Sequence, residues 1–86
     1  MHRRAVTLLT REGCPLCAQA AGRLDALAGE LGFALSVVDV DAAAAAGDAA
    51  LRAEFGDRLP VVLLDGVEHS YGEVDEERLT DDLQRC

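Results

Sequence analysis

Apolar positions along the chain switch between short continuous runs and a three-to-four-residue spacing, and the switches predict the elements. Ala5-Val6-Thr7-Leu8-Leu9 reads as a buried first strand over 4–9. Thr10-Arg11-Glu12-Gly13 follows as a polar loop with a turn signal. Leu16, Ala20, Leu24, Leu27 and Leu31 then recur at helical spacing, while Gln19, Arg23 and Glu30 fall off that stripe. This predicts an amphipathic helix over 15–31. Pro15 suits its first position, where a missing N–H costs nothing, and Gly32 suits its end. Phe33-Ala34-Leu35-Ser36-Val37-Val38-Asp39-Val40 is rich in β-branched residues and reads as a second strand. Strand, long helix and strand in that order imply a right-handed parallel crossover.

The second half has a different rhythm. Five alanines, Ala42 to Ala46, end at Gly47 and read as a connector, open to helix and without chemistry. Asp48 is a good N-cap for a helix to Phe55 with Leu51 and Phe55 as its stripe, and Gly56 ends it. Leu59-Pro60-Val61-Val62-Leu63-Leu64 is the next strand. Asp65-Gly66 before Val67-Glu68-His69-Ser70-Tyr71 signals a tight antiparallel hairpin. Within it His69 is expected to face solvent and Tyr71 to be partly packed. Gly72 breaks the strand, and Asp75 caps a last helix with Glu76 and Glu77 in its first turn and Leu79 and Leu83 toward the core. The predicted order is β-α-β-α-β-β-α, an α/β chain whose first half is parallel and whose second is a hairpin.

Length and composition narrow the picture. Eighty-six residues support one domain, 1–86, with one core and no repeat. With no Trp, two Phe and one Tyr, that core must be aliphatic. The net charge is −8 and all the basic residues are Arg. Such a balance argues against nucleic acid and against an anionic membrane surface, and biases any protein partner toward basic ones. No run approaches the roughly 20 apolar residues of a membrane span. Met1-His2-Arg3-Arg4 leads straight into strand without the apolar stretch of a secretion signal, so a cytoplasmic location is expected.

Cys14-Pro15-Leu16-Cys17 carries the chemistry. The pair falls where a strand gives way to a helix, at N–H groups that lack partners and at the positive end of the helix dipole. Such a position lowers a thiol pKa from about 8.5 to roughly 3.5–7.5. Arg11 adds to that effect and Glu12 opposes it. Three cysteines make an odd number for a disulfide framework, and Cys86 reads as a terminal thiol without a role. In a reducing cytosol a close pair is redox-active or metal-binding rather than a permanent staple. Two thiols supply half of a closed metal site, and neither His2 nor His69 has ligand spacing to them, so no metal site is assigned. Beside a βαβ unit the pair reads as a thioredoxin-like redox motif.

With that order in place the chain resembles the glutaredoxin family within the thioredoxin fold, and most of all its short bacterial members. Thr10-Arg11-Glu12-Gly13-Cys14-Pro15-Leu16-Cys17 carries the resemblance, together with Leu59-Pro60-Val61 and Tyr71-Gly72 before Asp75. The resemblance implies a four-stranded mixed sheet with helices on both faces. It implies Cys14 as the attacking thiol, Cys17 as the resolving one and a cis bond at Pro60. It further implies a substrate site built from Arg11, Pro15, Leu16, Leu59, Pro60, Gly72 and Asp75. Arg11 takes the place of a basic residue used near glutathione, and Tyr71 sets a ring where the family has a Gly-Gly turn. The Ala42–Gly47 stretch looks like an insertion away from the site. The expected activity is reduction of protein or glutathione-mixed disulfides by a monomer. No cofactor is bound tightly, and the candidate reductant is glutathione or a reductase. An iron–sulfur or metal carrier, and an interaction module that has kept the motif without turnover, stay open as alternatives.

Overall fold

β1 (Ala5–Thr10) turns Val6 and Leu8 to one side of a sheet and Leu9 to the other, and all three are fully buried. A strand covered on both faces needs a central place, and it has one. The computed structural model describes residues 4–85; His2 and Cys86 lie outside them. The sheet order is β2-β1-β3-β4. β2 (Ala34–Asp39) runs parallel to β1, with Thr10 opposite Asp39. β3 (Val61–Leu64) runs antiparallel to β1, with Leu9 opposite Val61. β4 (Val67–Tyr71) returns antiparallel at the edge.

Helices cover both faces, as the resemblance implied. α1 (Pro15–Leu31) and α4 (Glu76–Gln84) bring Ala20, Leu24 and Leu79 against Val6, Leu8 and Val62. α2 (Val40–Ala45) and α3 (Ala50–Phe55) bring Val40 and Phe55 against Leu9, Val61 and Leu63. Each core is aliphatic apart from one phenylalanine, Phe33 in the first and Phe55 in the second. No helix among the described residues is long and apolar enough to cross a membrane.

Several expectations shift by a residue or a face. The buried face of α1 runs through Cys17, Ala20 and Leu24, whereas Leu16 and Leu31 are exposed. Its C-terminus is as predicted: Gly32 takes φ 78° and donates its N–H to the Ala28 carbonyl. β2 starts after Phe33 and stops before Val40. Asp39 ends it by accepting the N–H groups of Asp41 (2.9 Å) and Ala42 (3.0 Å), which opens α2 over the alanine run. Alanine, the best helix former, does the rest. The chain therefore has one more helix than the predicted order. Asp48 is not the N-cap of α3; Ala49 is, and Asp48 accepts the Ala50 N–H at 3.3 Å.

The hairpin is the one predicted. Asp65 (φ 50°) and Gly66 (φ 86°) both take the left-handed conformation of a two-residue turn that matches strand twist. The ladder then slips between Val62 and Leu63, whose partners are Ser70 and Glu68, so His69 is the extra residue of a bulge. His69 accordingly does not face solvent. Its side chain is 6% exposed and its Nε2 sits 2.7 Å from Asp82 Oδ2 on α4. Tyr71 is the opposite correction, 61% exposed at the end of an edge strand, where Gly72 (φ 80°) turns the chain away.

Asp65 also fastens the start of β1. It accepts the Ala5 N–H at 3.0 Å and the Arg4 Nε at 2.6 Å. The Ala5 N–H, and then the Arg4 guanidinium, hold its carboxyl below the usual carboxylate range. A depressed carboxyl stabilises the fold above its unfolded pKa of about 3.9, and that contribution is lost as pH falls through the lower folded value. Asn suits the positive φ and still accepts one N–H, so Asp65→Asn removes only the charge. This variant should unfold at a lower temperature than the parent at pH 7. The difference should close on acidification below about pH 3.9, measured as melting temperature against pH.

Candidate active site

Gly13 takes φ 78°, a left-handed turn that brings the chain from β1 into α1. Cys14 follows in an extended conformation (φ −105°, ψ 104°) and is the N-cap of α1. Its carbonyl accepts the Ala18 N–H at 3.1 Å, and its Sγ accepts the Cys17 N–H at 3.2 Å. Pro15 occupies the first helical position, as expected. Cys14 and Cys17 lie at disulfide distance, their Cα atoms 5.2 Å apart, within the usual span for a bridged pair. The two sulfurs differ in access: Cys14 is half-buried, and Cys17 is 3% exposed beneath the helix. The resemblance implied that the first would attack and the second resolve.

The other predicted residues divide among neighbouring surfaces. A hollow beside the sulfurs is walled by Thr10, Arg11, Gly13, Ala18, Ala21 and Val37. Leu16 lies on the next groove, where α1 faces Gly72, Glu73 and Val74. Asp75 lines the adjoining hollow between β4 and α4 and caps α4 by accepting the Arg78 N–H at 3.1 Å. Across the second groove Arg23 forks onto Glu76 with contacts of 2.6–2.9 Å, which raises the Arg23 pKa. The Leu59–Pro60 bond is cis. Pro60 is buried, and its carbonyl accepts the Gly72 N–H at 2.8 Å, which ties the start of β3 to the end of β4. Leu59 packs on the second core.

Arg11 sits beside the dithiol, but its guanidinium is occupied. Nε lies 2.8 Å from Asp41 Oδ2 and Nη2 3.2 Å from Asp41 Oδ1, and Nη1 donates to the Gly56 carbonyl at 3.4 Å. The hydrogen bonds that Arg11 donates to Asp41, followed by the Asp41 charge, raise the Arg11 pKa; the same hydrogen bonding lowers that of Asp41. Asp41 was missed in the sequence, where residues 42–47 looked remote from the site. A signal was present. β1 and β2 are parallel with Thr10 opposite Asp39, so the residues that follow each strand leave the same sheet edge together.

Comparison with known proteins agrees with this geometry. The Glutaredoxin-like domain (DUF836) family matches residues 5–84. The uncharacterized protein Rv0508 of Mycobacterium tuberculosis is 60% identical over 85 residues, covering 99% of this chain and 88% of that protein. Among solved structures, protein Ne2328 from Nitrosomonas europaea superposes with a TM-score of 0.78 at 24% identity, over 98% of this chain and 95% of that one. A thioredoxin from Fasciola hepatica superposes with a TM-score of 0.61 at 25% identity, over 96% of this chain and 80% of that one.

The difference in burial yields a direct test. After reduction, limiting iodoacetamide should modify Cys14 well before Cys17, read by peptide mass mapping; equal rates would contradict the geometry.

Proposed function

Because the chain belongs to the glutaredoxin-like domain family, we propose that it is a thiol–disulfide oxidoreductase that reduces protein or glutathione-mixed disulfides through Cys14 and Cys17. One observation carries this reading. A half-buried sulfur caps the first turn of α1 and lies at disulfide distance from a second, covered sulfur. Unpaired N–H groups at a helix start favour the thiolate, which is the nucleophile.

The electrons balance in two steps. The Cys14 thiolate attacks one sulfur of a substrate disulfide; a Cys14 mixed disulfide forms, the substrate S–S bond breaks, and the displaced thiolate takes a proton from water. Deprotonated Cys17 then attacks the Cys14 sulfur, the internal disulfide closes, and the second substrate thiolate leaves. Two electrons have passed from the dithiol to the substrate. External thiols, glutathione among them, return the electrons by the reverse exchange. The protein works as a monomer in a reducing cytoplasm, where a close cysteine pair serves exchange rather than structure. No tightly held cofactor takes part.

Cys14→Ser should lose disulfide reduction down to the level of the buffer control in a coupled assay. Cys17→Ser should instead accumulate a mixed disulfide through Cys14, visible by mass and reversed by dithiothreitol. Turnover that survives Cys14→Ser would refute the scheme.

A further inference from the structure

We infer that Asp41 sets the charge of the substrate: by engaging the Arg11 guanidinium it silences the cation beside Cys14, so the dithiol selects neutral or cationic disulfides over anionic ones. The inference rests on the proposed function and adds to it a substrate class and a specificity-determining residue.

The hollow beside the sulfurs carries one charged side chain, Arg11, among Thr10, Gly13, Ala18, Ala21 and Val37. A free guanidinium there would receive the carboxylate of an anionic thiol as it approached Cys14. Asp41 meets Nε and Nη2 with one oxygen each, and the Gly56 carbonyl takes a third donor. Two planar groups joined edge to edge leave little net charge for a ligand. The pair is held from both sides. Asp41 lies in the first turn of α2, whose start is fixed by the Asp39 cap, and Arg52 Nη1 adds a contact at 3.6 Å to the same carboxylate. Arg11 follows directly on β1, whose last pair is Thr10 with Asp39. The lowered pKa of Asp41 keeps its charge in place across the neutral range. Glu12, exposed next to Arg11, makes no ion pair among the described residues. An anionic group arriving at Cys14 therefore meets a neutralised cation. An uncharged or cationic group meets a mostly apolar wall, with Val37 about half exposed upon it.

The test uses the full chain, fully reduced, in single-turnover oxidation by three small disulfides: glutathione disulfide (anionic), bis(2-hydroxyethyl) disulfide (neutral) and cystamine (cationic). Each rate is divided by that of dithiothreitol with the same disulfide, which removes intrinsic reactivity. Asp41→Asn should raise the anionic-to-cationic ratio about three- to fivefold, the scale of one exposed ion pair. Arg11→Ala alone leaves the Asp41 carboxylate without its bidentate partner and should lower that ratio, by no more than about the same factor, because Arg52 still lies 3.6 Å from the carboxylate. The double variant should return to the parent ratio. Asp25→Asn, an exposed carboxylate further along α1, controls for the change in net charge and should leave the ratio near that of the parent. The inference is overturned by an unchanged ratio in Asp41→Asn, by a gain that persists in the double variant, or by a ratio that rises in Arg11→Ala alone. Normal rates with an unresponsive ratio refute only this inference; a reduced protein inert to all three disulfides refutes the proposed function with it.

Discussion

A helix that begins directly after a central strand presents N–H groups that its own turns leave unpaired, and in this chain the atom answering one of them is a sulfur. Cys14 Sγ accepts the Cys17 N–H at 3.2 Å, in the role that a Ser or Asp oxygen usually plays at an N-cap. The contact joins local structure to chemistry. It fixes where α1 starts and therefore which face Cys17, Ala20 and Leu24 bury. It also holds the Cys14 sulfur at the end of a helix dipole while a second sulfur lies a turn deeper. The rest of the architecture supports that junction. β1 is clamped between β2 and β3 and buried on both faces, so the loop leaving its end starts from a rigid base.

Most of the frame was legible because its signals are local. The α1 span, the Gly32 stop, the Asp65-Gly66 turn and the Asp75 cap all appear where residue type alone predicts them. Each depends on chemistry within four residues. The misreadings came from tertiary placement. Leu16 fits the helical stripe by spacing, yet the sheet lies under Cys17, one position further round, and leaves Leu16 to solvent. His69 has the polarity of an outward hairpin residue, yet a one-residue bulge brings it to Asp82, a partner on another element. Neither the bulge nor the helix opposite leaves a mark near residue 69 in the sequence.

The alanine run shows the same limit from the functional side. Read alone, residues 42–46 offer no chemistry, and they take part in none. Their helix nevertheless sets the site, because its cap at Asp39 delivers Asp41 to Arg11 across the parallel β1–β2 edge. A segment that looks like an insertion thus decides whether the loop before Cys14 offers a free cation. Topology supplied the juxtaposition here: two strand ends side by side turn sequence-distant charges into neighbours.

Charge then acts at two ranges. Five of the arginines in the described residues are held in ion pairs, Arg4, Arg11, Arg23, Arg52 and Arg58, against a chain of net charge −8. Paired arginines cancel close to themselves and leave the excess carboxylates to set the outer field. Beyond about 8 Å, the Debye length at physiological ionic strength, salt screens that field, so it biases encounter more than the final complex. Inside that distance the local pairing decides. Cys14 lies beside a cation whose partner is already chosen. On the proposed function, field and pairing would therefore discriminate in the same direction, against anions, and leave the hollow beside the sulfur to an uncharged or basic neighbour of the disulfide.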